Sequence, residues 1–170
     1  MTTPNPPRLI GLVGCSSAKL SRPAPARELY TSPLFRKASA YAELTCARWF
    51  ILSAKHGLLN PDQVVEPYDV KLGTNARTSP PIHEWADRVR GQLATELADT
   101  PRAVLVALAG VQYQTVLRPC QWPFRIPMKG LGIGQQLGWL TDQLAQLNTT
   151  SPRGMTPCLN GTSGTPAAAQ

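Results

Sequence analysis

Apolar residues fall along this chain in two rhythms. Short unbroken apolar runs that end in small or polar residues predict interior strands at Arg8 to Gly14 (RLIGLVG), Trp49 to Ala54 and Ala103 to Leu108 (AVLVAL). Between them the apolar positions return every three or four residues, the helical spacing. One such stretch opens at Ser32, an N-cap ahead of Pro33, and is expected to run to about Arg48 with Leu34, Ala38, Tyr41, Ala42 and Thr45 facing inward. A second runs from Ile82 to about Leu97 through Trp85, Val89 and Leu93, leaving His83, Glu84 and Asp87 to solvent. A third follows a glycine-rich turn and carries Leu137, Leu140, Leu144 and Leu147. Ala109-Gly110 reads as a turn into a short helix holding Tyr113, and Phe124 to Pro127 as a fourth strand at a sheet edge, where proline is tolerated.

Strands and helices that alternate in this way predict a three-layer α/β sandwich with a mostly parallel sheet of about four strands. Ligands of open α/β sheets sit beyond the carboxyl ends of the strands, so the loops after the first three strands are expected to line one edge.

Residues 8–147 are expected to form a single domain. Residues 1–7 read as a flexible arm, and 148–170, rich in Thr, Ser, Pro, Gly and Ala without periodicity, as a disordered tail that cannot repay the entropy of ordering. No charged-then-apolar leader and no run of about 18 apolar residues occurs, so the expectation is a cytoplasmic monomer with no membrane partner.

Charge adds a partner. The net charge is +7, and it divides as +6 over residues 1–55, −3 over 56–100 and +4 over 101–170. A basic chain with an acidic middle fits a polyanion-binding surface around a site that uses carboxylates, although an ordinary solvated basic face has the same signature. Cys15, Cys46, Cys120 and Cys158 form no CxxC pair and neither histidine has a metal-ligand spacing, so neither zinc, another cofactor, nor a disulfide framework is expected.

The stretch from Phe50 to Asp69, FILSAKHGLLNPDQVVEPYD, concentrates the acid-base side chains. Ser53 closes its strand, Lys55 and His56 precede a glycine suited to positive φ, and Asn60-Pro61-Asp62 is a second turn, so His56, Asp62, Glu66 and Asp69 are expected on irregular backbone. Taken singly, Asp62 completes a turn as readily as it catalyses, and His56 caps as readily as it reacts. Asp69 stands out because Pro67 fixes the chain just before Tyr68-Asp69.

Two turns suit anions. Cys15, Ser16, Ser17 and Lys19 follow the first strand, where small residues let N–H groups converge and Lys19 adds charge. Cys15 is not a phosphatase nucleophile, because the position that would need arginine is Ser21 and Arg22 comes one residue late. Lys129, Gly130, Gly132 and Gly134 enter the last helix, where glycines admit either a phosphate or a close-packed helix. That run comes too late in the chain for a dinucleotide signature. Tyr30, on the loop Ser21 to Thr31, is placed to stack a base, and Asn75, on the loop Lys71 to Pro80, to pair with a base edge, unless each serves only its own loop.

Five pieces together resemble a known family: GCSSAK (14–19), ELYTSPLFRKASAYAE (28–43), WFILSAKHGLLNPD (49–62), PYDVKL (67–72) and KGLGIGQQLGWL (129–140). Over about residues 8 to 145 the chain resembles the small bacterial and phage domain related to the YaaA proteins and to the uracil-DNA-glycosylase-like domain found beside archaeal tRNA-guanine transglycosylases. Within that group it is similar to the Brig type of anti-phage DNA glycosylase, which removes glucosylated hydroxymethylcytosine.

The resemblance implies a metal-independent DNA glycosylase acting on double-stranded or locally opened DNA with modified bases. Asp69 or Asp62 would serve the sugar and the attacking water, and Asn75, His56 or Lys55 the leaving base, with phosphates on the two turns. A Schiff-base lyase route through Lys55 or Lys129 stays open. A DNA-binding protein without catalysis, and a deoxyribosyltransferase or nucleoside hydrolase acting on free nucleotides, are the rival readings.

Overall fold

Strand β1 (Arg8–Gly14) is the axis of the sheet because its side chains are hidden on both faces. Ile10 and Leu12 point to one side and Val13 to the other, all fully buried. A Cβ at Gly11 would stand 2.9 Å from the Cβ atoms of Ala42 and Trp49, so the absent side chain lets a helix close on this strand. The computed structural model describes residues 6–73, 77 and 79–150.

In chain order, β1 is followed by β2 (Ala24–Pro25), a one-turn helix α1 (Ala26–Leu29), α2 (Pro33–Thr45), β3 (Arg48–Ser53), β4 (Gly57–Leu59) and β5 (Val64–Val65). Then come α3 (Ile82–Glu96), β6 (Ala103–Leu108), a 3-10 helix (Tyr113–Leu117), β7 (Phe124–Arg125) and α4 (Ile133–Thr150). The sheet order is β4-β3-β1-β6-β7, parallel except for β4, which turns back antiparallel on β3; β2 and β5 form a separate antiparallel pair.

The chain steps from β1 outward to β3 and then recrosses to β6 on the other side of β1, which puts α2 and α3 on opposite faces. Trp85, Val89 and Leu93 of α3 pack on Ile10, Leu12, Phe50 and Leu105. Phe35, Ala38 and Ala42 of α2, with Leu140 of α4, pack on Val13, Ile51 and Leu108. Burying each large side chain of this kind contributes about 1.5–3 kcal/mol. Reversal of direction at β1 creates the crevice between the carboxyl ends of β1 and β6 where such sheets bind ligands.

The predicted three-layer α/β arrangement matches these elements, with several differences: β5 was not expected, β7 ends at Arg125 short of the predicted Pro127, and four others stand out. A fifth strand, β4, is present, because positive-φ Gly57 and the two residues after it, Leu58 and Leu59, pair with β3 where a turn was expected. Helix α2 stops at Thr45, since Cys46 is extended and Arg48 already belongs to β3, and its most buried large residue is Phe35, whereas Leu34, Tyr41 and Thr45 are half-buried. The loop from Ser21 to Thr31 contains β2 and α1. Helix α4 continues through Asn148 to Thr150, three residues assigned to the tail on composition; the Thr149 hydroxyl donates to the carbonyls of Ala145 and Gln146. The rest of that tail, with most of the arm and Asn75, lies outside the described residues. Among the described residues, no helix is long and apolar enough to cross a membrane.

Candidate functional site

A cleft of about 260 Å³ opens at the β1/β6 switch point. One wall is the segment after β1, Cys15, Ser16, Ser17 and Lys19, and the facing wall is Asp69 to Leu72, with Gln112 and Tyr113 closing the end. The Cys15 N–H donates to the Leu52 carbonyl at 3.0 Å, so β1 hands its last ladder bond to β3 before the chain leaves the sheet. Ser16 Oγ donates to the Ala18 carbonyl at 3.0 Å, and Lys19 bridges to Tyr30, with Leu20 N donating to Leu29 O and Thr31 N to Ala18 O. The first anion-suited turn is thus clamped against α1 by backbone bonds.

Lys19 Nζ lies 4.5 Å from the Tyr68 ring centroid and 5.6 Å from that of Tyr30, and donates to the Ser17 carbonyl at 3.4 Å. Burial pushes its ammonium below the ordinary lysine range, opposed by the charges of Cys15 and Asp69. Tyr113 Oη and Cys15 Sγ are hydrogen-bonded at 3.2 Å, joining the ends of two elements 98 residues apart.

Under the Asp69 wall runs a chain of hydroxyls. Ser53, the last residue of β3 and fully buried, is hydrogen-bonded through Oγ to Tyr68 Oη at 2.6 Å, and Tyr68 Oη to Tyr30 Oη at 2.6 Å. Ser53 Oγ also accepts from the His56 N–H at 3.0 Å, while the Ser53 carbonyl accepts from Trp85 Nε1 at 2.8 Å. Burial pushes the Tyr30 phenol up to about 12, and drives Tyr68 and Tyr113 upward as well, so all three are neutral hydrogen-bonding groups at physiological pH.

The His56 ring stands edge-on to Tyr68, centroids 5.3 Å apart. Burial first, then the neighbouring Lys55 and Arg88 charges, hold it below the usual histidine range, and its Nε2 is buried with no hydrogen-bond partner among the described residues. Lys55 is exposed, its Nζ 5.6 Å from the Tyr68 centroid.

Of the residues singled out from sequence, Cys15, Ser16, Ser17, Lys19 and Asp69 share the cleft, and Tyr30, Ser53, His56 and Lys55 stand behind it around Tyr68. Asp62 does not. Strand β4 carries the chain back toward the amino end of β3, and Asp62, 77% exposed, pairs there with Arg27 at 2.8 Å; that guanidinium lies over Trp49 and also binds Glu43. The turn after Asn60 is an Asx turn made by Asn60 itself, whose Oδ1 accepts from Asp62 N at 3.0 Å.

Lys129 and Gly130 are separate too, lining a different groove between the 3-10 helix and β7. Gly132 and Gly134 are exposed at the start of α4, and no heavy atom lies near enough for close packing to explain either glycine. Tyr68, Lys71, Gln112 and Tyr113 were not among the predicted site residues. The PYDVKL run signals the first two, and the position of Gln112 and Tyr113 just past a strand's carboxyl end signals the others. Among the described residues, no group of three or more His, Cys, Asp or Glu is placed to hold a metal ion, and Cys15, Cys46 and Cys120 are free thiols.

A family described as a family of unknown function, DUF6884, matches residues 10–142. The chain belongs to the DUF6884 family. The matched span runs from Ile10 in β1 well into α4, so this DUF6884 chain has all of its sheet but the first two residues of β1, and both walls of the cleft, inside the shared region. It is 36% identical over 118 residues to the uncharacterized protein YfjM of Bacillus subtilis (strain 168), covering 65% of this chain and 75% of that one.

UPF0246 proteins, the YaaA-like group, are related over a shorter span. The match is 39% identical over 66 residues in Cellvibrio japonicus (strain Ueda107) and 37% over 68 in Cereibacter sphaeroides (strain KD131 / KCTC 12085). These cover 37% and 38% of the DUF6884 chain but 26% of each relative, so the chain spans about a quarter of the UPF0246 proteins it matches.

Proposed function

We propose that this protein is a DNA glycosylase that hydrolyses the N-glycosidic bond of a modified base and leaves an abasic site. The observation that carries the reading is that Asp69 lines the same cleft as Ser16, Ser17 and Lys19. Breaking the C1′–N bond leaves its electron pair on the departing base and builds positive charge on the sugar. A carboxylate within reach of C1′ stabilises that charge and accepts the proton of the water whose oxygen adds to C1′; the base leaves protonated or held by donors. Asp69 is the carboxylate for this role. Ser16, Ser17 and Lys19 suit the flanking phosphate. The Gln112 carboxamide offers donors for the leaving base from within the cleft, and Lys55 from behind it. Asp62, tied to Arg27, has no part in this scheme.

The narrower likeness, to uracil-DNA-glycosylase-like domains and to Brig-type enzymes excising glucosylated hydroxymethylcytosine during anti-phage defence, belongs to the same proposal. Its support is the motif set, above all PYD at 67–69 and GCSSAK at 14–19, both of which border the cleft.

The test is to incubate the protein with DNA from phages carrying different base modifications and to measure released bases by mass spectrometry and abasic sites by aldehyde labelling. Asp69→Asn should lower the yield by about a hundredfold or more while leaving DNA binding intact. Undiminished release from Asp69→Asn would defeat the assignment. Salt-sensitive binding with no product on any DNA would favour the non-catalytic rival, and equal rates on mononucleotides the free-nucleotide enzyme.

A further inference from the structure

Beside the cleft, across the segment Gly110–Thr115, lies a larger groove of about 610 Å³. Gln112 and Tyr113 face the cleft, while Val111, Gln114 and Thr115 face the groove, so one short segment is the wall between the two. The groove exposes two large apolar side chains, Val111, 82% exposed in the turn after β6, and Phe124, 36% exposed on the edge strand β7. Its rim holds Arg118 and Lys129. No carboxylate lines the groove, and neither cation takes part in an ion pair among the described residues. Gly130 turns at φ +79° with open space where a side chain would be, leaving backbone accessible at the rim.

An apolar protein partner has no use for two unneutralised cations without matching acids, and a bare phosphate has no use for Val111 and Phe124. A chain that presents flat apolar faces and regularly spaced negative charges satisfies both, and single-stranded nucleic acid is such a chain. We propose that this groove binds the DNA strand adjoining the target nucleotide, with bases against Phe124 and Val111 and phosphates on Arg118 and Lys129. The inference rests on the reading of the neighbouring cleft as the glycosylase site. It also gives Lys129 and Gly130 a phosphate-binding role on a subsite of their own. Stacking needs unpaired base faces, so the strand must be single or locally opened where it crosses the Gly110–Thr115 wall.

The experiment measures binding of a fluorescein-labelled unmodified single-stranded oligonucleotide by anisotropy, over a salt series, in an Asp69→Asn background. Arg118→Glu with Lys129→Glu should weaken binding by about tenfold or more and flatten the log K against log[salt] slope by about 1.4, the release expected for two phosphate contacts on a single strand. Phe124→Ala should weaken binding about tenfold without changing the slope. Arg118→Gln with Lys129→Gln is the milder control should the reversal impair folding, and should show the same flattening.

Wild-type affinity in all three variants overturns the proposal. So does a change of oligomeric state by light scattering with DNA affinity unchanged, which would make the groove a protein-docking surface. The two readings fail separately. Base release with normal binding by the groove variants sinks the groove alone, and weakened binding by those variants with no base released from any DNA sinks the glycosylase reading alone.

Discussion

The hydroxyl of Tyr68 lies 2.6 Å from Oγ of Ser53, 15 residues earlier in the chain, and this contact ties the segment bearing Asp69 to the end of a central strand. Tyr68 occupies a loop with no ladder of its own, so its position depends on side-chain contacts: the hydroxyls of Ser53 and Tyr30, the edge of the His56 ring and the Lys19 ammonium. The carboxylate one residue later is placed as accurately as that anchor allows.

Ser53→Ala should therefore act on both stability and catalysis. It removes the partner of the His56 N–H and one of the two hydroxyl partners of Tyr68, which costs about 1–3 kcal/mol. Urea unfolding would measure the loss. Base release should fall in parallel, and Tyr68→Phe should lower it too. A Ser53→Ala protein with wild-type stability and activity would remove the anchoring role.

Protonation of His56 should destabilise the fold on the acid side. Its native pKa is held below the ordinary 6.5 by burial and by Lys55 and Arg88, so below that value the unfolded chain binds a proton that the folded chain resists. Stability then rises with pH in that window, being complete above about 6.5 and lost as pH falls toward the native pKa. His56→Gln should flatten that limb of a Tm series taken between about pH 8 and pH 5. An unchanged pH slope in the variant would assign the effect to other groups.

Gly57→Ala should be costly for a residue so near the surface loops. Gly57 sits at φ +78°, and an added Cβ would run into Gln92 Oε1, the acceptor of the Leu58 N–H. Left-handed backbone alone costs a non-glycine residue about 1–2 kcal/mol, and displacing Gln92 adds a broken bond. Chemical denaturation checks this; a loss below about 0.5 kcal/mol would contradict the strain argument.

Asp62→Asn offers the contrast with Asp69→Asn. Its carboxylate is exposed and bound to Arg27, an ion pair of the kind worth about 0.2–1 kcal/mol. Base release by this variant should stay within about twofold of wild type, with Tm little changed. A large kinetic loss would return Asp62 to the chemistry.

Local chemistry settled much of this protein in advance. The apolar runs at Arg8–Gly14 and Ala103–Leu108 are strands from end to end, Ser32 caps α2 by accepting from Phe35 N, and Gly57 takes positive φ, because each depends on residues within one turn or one strand. The charge pattern and the Tyr68-Asp69 pair likewise marked a region before any fold was known. Tertiary structure decided which of the marked residues meet. The antiparallel return of β4 took Asp62 away to Arg27, the recrossing from β3 to β6 brought Tyr113 against Cys15, and Lys129 went to a groove of its own. Those outcomes turn on strand direction and crossover, long-range choices that no window of neighbouring residues contains.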